Sequence, residues 1–152
     1  MALIQIKQDL LFVLSGEMDI IERLMADLNT HPSNQQFSVT RTEGPDMRTL
    51  EAEALRQRLI EAPREVQAGL LIAVGIAAIH LAFFTLDEDE LVEAADQAQA
   101  FLLEQFVVTW PECPRHADPL WPAVDSSVAV WGCRRDRNVR CKIGSLVSFG
   151  DR

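Results

Sequence analysis

Cys113, His116, Cys133 and Cys141 bring all three cysteines and one of the three histidines of the chain into a stretch of 29 residues. Thiolate sulfur and imidazole nitrogen are the donors Zn²⁺ prefers. A Cys-x2-His pair followed by two more soft donors is enough for a tetrahedral site. With four protein ligands such a site is closed and serves folding rather than catalysis. Two other outcomes stand beside it. The thiols could be small buried hydrophobes, as free cysteine often is. Alternatively, Cys133 and Cys141 could form a cross-strand disulfide in an oxidising setting. Bound zinc is the expectation taken forward.

Other chemistry has less support. There is no Gly-x-Gly-x-x-Gly, P-loop or Gly-x-Ser-x-Gly pattern. His31 falls in a loop, and His80 sits in an apolar run where a hydrogen-bonded core histidine is the ordinary outcome. Cys113 and His116 could imitate a thiol–imidazole pair, but nucleophile and base are rarely so close in sequence. The chain is therefore read as a non-enzymatic protein.

Around the cysteines lie residues suited to contact. Trp110, Trp121 and Trp131 make the region aromatic, and Arg134, Arg135, Arg137 and Arg140 crowd one turn, with Lys142 beyond. Trp and Arg are frequent anchors of protein interfaces, so Trp121, Trp131 and these four arginines are the expected partner-binding residues. The leading reading is an adaptor that docks on another protein. The runner-up is a nucleic-acid-binding regulator using the Arg134–Lys142 hairpin. No aromatic residue interleaves the arginines, which disfavours stacking on single strands.

The elements that must position these residues divide by charge. Residues 1–110 carry 7 Lys/Arg against 18 Asp/Glu, whereas 111–152 carry 7 against 5. An acidic body disfavours non-specific binding to nucleic acid or anionic lipid. The break at Trp110-Pro111 suggests an acidic helical domain over 1–110 and a small β module over 111–152, packed on it. An odd number of cysteines and no basic segment ahead of an apolar N-terminal stretch point to the cytoplasm.

In the first part the apolar spacing predicts four helices. Leu10, Leu14, Met18, Ile21, Met25 and Leu28 recur every three or four residues, giving a helix from Asp9 to Leu28. Asp46 caps a second, to about Glu61. The uncharged run Val66–Leu86 reads as a third, central helix, with a membrane span over 66–86 as the competing reading. A Thr85-x-x-Glu88 capping box opens a fourth, to about Val107. Leu3–Lys7 and Phe37–Val39 could form a short N-terminal β pair. The expected fold is thus mainly α, a four-helix bundle with a C-terminal β-hairpin.

That hairpin joins Ser127–Cys133 to Val139–Leu146. A loop over Asp136–Asn138 would set Cys133 opposite Cys141 on one face, whereas a two-residue turn at Arg137-Asn138 would place them on opposite faces. Residues 110–146 here resemble a zinc ribbon, with Cys113-Pro114-Arg115-His116 as the first knuckle. The chain departs from that pattern at the second knuckle, which reads Cys133-x2-Asp136. The resemblance implies a structural zinc held by Cys113, His116 and Cys133, with Cys141 or Asp136 as fourth ligand.

Overall fold

A computed structural model describes residues 18–44, 48, 50, 51 and 65–149. In chain order the described elements are helix α1 (Ile20–Leu28), a 3₁₀ turn (Asn34–Gln36), strands β1 (Ser38–Glu43), β2 (Ala68–Val74) and β3 (Ala77–Phe83), and helix α2 (Glu88–Phe106). Strands β4 (Trp121–Asp125), β5 (Val128–Gly132) and β6 (Arg140–Lys142) follow, then a single turn, α3 (Leu146–Phe149). The strands form two antiparallel sheets, β1-β2-β3 and β4-β5-β6.

The expected four-helix bundle is not what forms. The fold is mixed, and the decisive difference lies in residues 66–86, which are a β-hairpin and not a central helix. Gly75, at φ +59°, supplies the positive φ that a two-residue turn between paired Val74 and Ala77 requires. β2 is the middle strand of its sheet, and Ala68, Leu70 and Ile72 on its inner face are fully buried. The intervening Gly69, Leu71 and Ala73 are apolar too, so the run is unbroken and lacks the alternation that would mark a strand. Alanine, abundant here, favours helix by intrinsic propensity, and tertiary pairing overrides it. No helix among the described residues is long and apolar enough to cross a membrane.

Other expectations shift in register. α1 starts at Ile20, not Asp9, because Asp19 is extended and its Oδ1 accepts the Glu22 amide hydrogen at 2.8 Å. Strand β1 pairs with β2 along its whole length. The expected Leu3–Lys7 strand, the part of the expected first helix before Met18 and most of the expected 46–61 helix fall outside the described residues. α2 falls close to its predicted span, but its N-cap is Asp87 rather than Thr85. Asp87 Oδ1 accepts from the Glu90 amide at 2.9 Å, while the Glu90 carboxylate turns back to accept from the amides of Phe84 and Leu86 at 3.0 and 3.1 Å. The cap thus lies two residues later than expected, and Glu90 satisfies amides of the segment ahead of it.

One buried cluster crosses the Trp110-Pro111 boundary, running from Leu24, Phe83, Leu91 and Leu102 to Trp110, Leu120, Trp131 and Ile143. Burying each such side chain stabilises the fold by about 1.5–3 kcal/mol. Polar ties reinforce it. Arg23, 6% exposed, donates from Nε to the Ile143 carbonyl at 2.8 Å and pairs with Glu88 at 2.6 Å. Asp27, fully buried, accepts from Trp131 Nε1 at 2.8 Å and from the Gly144 and Leu146 amides at 2.6 and 3.1 Å. The C-terminal sheet is thereby fixed against α1 and α2.

Candidate metal centre

Two backbone loops carry the cysteines and the histidine. The first begins at the cis Trp110-Pro111 bond and doubles back on itself. Leu120 donates to the Pro111 carbonyl at 2.7 Å and Cys113 to the Asp118 carbonyl at 2.7 Å, with Glu112 bridging Pro119. Inside that frame Ala117 donates to the Cys113 carbonyl at 3.0 Å, closing a single turn over Cys113–His116. Cys113 and His116 therefore face the same way.

The second loop joins β5 to β6 and spans Arg134–Asn138. Cys133 donates to the Val139 carbonyl at 3.0 Å, and the Asp136 carboxylate caps the turn by accepting from the Asn138 amide at 2.9 Å. Two reciprocal ion pairs join the loops: Arg115 to Asp136 at 3.2 Å, and Arg135 to Asp118 at 3.0 Å. Both are largely exposed, so they guide alignment more than they add stability.

Between the loops, His116 Nδ1 lies 3.4 Å from Cys113 Sγ and 3.4 Å from Cys133 Sγ. The three donor atoms all lie within 4.8 Å of one another. A lone pair or hydrogen on one ring nitrogen can serve one sulfur well, not two. Equal spacing to both is what a shared cation would impose. With zinc–sulfur and zinc–nitrogen bonds of ordinary length, a tetrahedral centre holds S and N about 3.6 Å apart. Both cysteines are buried and His116 is half-buried. This Cys-Cys-His group can bind a metal ion.

Cys141 and Asp136 lie outside that group. The ladder sets Cys141 opposite Trp131, so Cys133 faces Val139. Neither register expected from the sequence occurs, because the loop has five residues rather than three or two. No disulfide joins Cys133 to Cys141. Asp136 is engaged by Arg115 and by the Asn138 amide.

The expected partner-binding residues separate. Trp131 is fully buried and belongs to the core. Trp121 stays half-exposed on β4, with the Arg134 guanidinium 4.0 Å above its ring centroid. Arg140 is paired with Asp125 and Arg135 with Asp118, while Arg137 is exposed.

Sequence reasoning missed three supporting residues. Arg23 and Asp27, four apart, sit on the buried side of α1 beside Ile20, Leu24 and Leu28. Charged residues inside an apolar helical stripe are the signal that would have found them. Burial holds the Asp27 carboxyl above its usual range, with the hydrogen bonds from Gly144, Trp131 and Leu146 opposing the rise. The Glu88 carboxyl is held below its ordinary value, chiefly by the hydrogen bond from Arg23. His31 lies in a loop as expected, but is 2% exposed among Phe37, Phe106 and Trp110, and burial lowers its pKa.

No family model matches this chain, and no curated protein or solved structure matches it.

Proposed function

We propose that this protein binds zinc through Cys113, His116 and Cys133, and that the metal-clasped knuckle is a protein-docking element. The observation that carries the reading is the equal 3.4 Å approach of two cysteine sulfurs to one imidazole nitrogen. Two thiolates and an imidazole suit zinc better than the oxygen-seeking Mg²⁺ or Ca²⁺. The metal pins the 111–120 loop to the loop after β5 and so fixes β4 between them.

For docking, β4 is an edge strand carrying half-exposed Trp121 and exposed Val124. Pro122 removes one backbone donor from that edge, which favours recognition by side chains over strand addition. Arg135 and Arg140 are paired with aspartates and Arg134 stacks on Trp121, which lowers the positive charge this turn offers to phosphates and favours a protein partner over nucleic acid.

Metal analysis of untagged, reduced protein tests the reading directly. One zinc per chain is expected, with loss of that zinc in Cys113→Ser and Cys133→Ser. Metal-free protein with unchanged stability and tryptophan fluorescence would refute it.

A further inference from the structure

Every cysteine and histidine of the chain lies among the described residues, so a fourth soft donor can be sought by elimination. His31 is enclosed by aromatic rings, and its Nδ1 accepts from the Ser33 amide at 2.9 Å. His80 stands on β3 opposite Leu71, in the other sheet. That leaves Cys141, whose Sγ lies 3.5 Å from the Lys142 carbonyl oxygen and is not in the cluster. Of the three carboxylates on the two loops, Asp118 and Asp136 are turned to Arg135 and Arg115, and Glu112 is exposed at its bridge to Pro119.

We infer that a metal held by Cys113, His116 and Cys133 keeps one coordination position for a small anionic ligand from solution. This rests on the zinc reading above. A zinc ion with three protein donors and a solvent-derived fourth ligand is a Lewis-acid arrangement, unlike the closed four-ligand structural kind. The buried cysteines lie on the protein side of the cluster. Half-buried His116, with exposed Pro114 and Arg115 beside it, is the side that faces solvent. Charge points to an anion. Two thiolates and a neutral imidazole bring a dication to zero, and Arg115 with Asp136 and Arg135 with Asp118 form balanced pairs on the flanking loops, so a single small anion meets no net negative charge at the ion.

Cobalt(II)-reconstituted full-length protein, titrated with azide, tests this. The expected result is one cobalt per chain and a ligand-field spectrum that shifts saturably as azide binds. Cys141→Ser should leave the cobalt stoichiometry, the thiolate-to-cobalt charge-transfer intensity and the azide response unchanged. A spectrum indifferent to azide, together with loss of about a third of the charge-transfer intensity in Cys141→Ser, would show Cys141 as a third thiolate and overturn the open position while leaving metal binding intact. Failure of the chain to take up cobalt at all would overturn the metal reading itself.

Discussion

At the scale of single residues, the strongest commitments of this fold are polar groups placed where water cannot reach. Both carboxylate oxygens of Asp27 accept hydrogen bonds, Oδ1 from the Leu146 amide and Oδ2 from Trp131 Nε1 and the Gly144 amide. Asp27→Asn would turn an NH2 group against one set of donors and strand them. The expected cost is about 1–3 kcal/mol, read as a lower urea midpoint with an unchanged slope. His31 makes a pH prediction of definite sign. Its Nδ1 accepts from Ser33, so the neutral ring fits the site, and burial depresses the folded-state pKa below the ordinary value of 6.5. The unfolded chain then binds the proton more readily than the folded one. The contribution of His31 is therefore fully present above about pH 6.5 and declines as the solution is acidified below it. Urea unfolding of the wild type between pH 7.5 and 5 should fall more steeply than that of His31→Phe. Equal slopes would contradict this placement of the imidazole.

At the scale of elements, close approach rather than propensity decides what can be substituted. Gly144 adopts φ +110°, and a Cβ added there would lie 2.9 Å from Cβ and Cγ of Arg23. Gly144→Ala therefore combines backbone strain with displacement of the Arg23 side chain from Glu88 and Ile143. A loss of about 2 kcal/mol or more is expected in thermal unfolding, against a few tenths for a substitution at an open surface site. α2 was legible in the sequence because its acidic start and three-to-four spacing agree on one answer, although the cap is Asp87 and not the expected Thr85. The C-terminal hairpin was legible from its paired apolar runs. The β2–β3 hairpin was not. Half-buried Leu71 and Ala73 are as apolar as buried Leu70 and Ile72, so the two-residue alternation that would mark a strand is lost, and Ala73, Ala77 and Ala78 speak locally for helix. The candidate metal cluster was legible in part for a related reason. Cys113-x2-His116 is a local turn that spacing alone defines, whereas the place of Cys141 depends on a strand register set by the five-residue loop Arg134–Asn138.

At the scale of the whole molecule, the change in charge at Trp110-Pro111 does not mark a break in packing. Arg23 on α1 reaches both Glu88 on α2 and the Ile143 carbonyl, and Glu88 in turn accepts from the Ala129 amide of β5 at 2.9 Å. Gln99 of α2 donates to the carbonyls of Trp110 and Leu120 at 3.2 and 2.6 Å, gripping the base of the first cysteine loop. Trp110 and Trp131 meet edge to face with centroids 5.6 Å apart, so the loop and the second sheet share one core. Bound metal should therefore stabilise the entire fold and not the tail alone. Under the zinc reading proposed above, in which the native state binds the ion and the unfolded chain binds it far less well, free zinc at a hundredfold over its dissociation constant would add about 2.7 kcal/mol, and the melting temperature would rise with the logarithm of zinc concentration. Stripping the metal with a chelator should lower the midpoint seen by helical circular dichroism and by tryptophan fluorescence to the same extent, with the two traces remaining superimposed. If fluorescence instead moved alone while the helical signal held its midpoint, the 111–149 segment would be melting as a separate unit, and the buried ties through Arg23, Asp27 and Gln99 would be too weak to couple it to the rest.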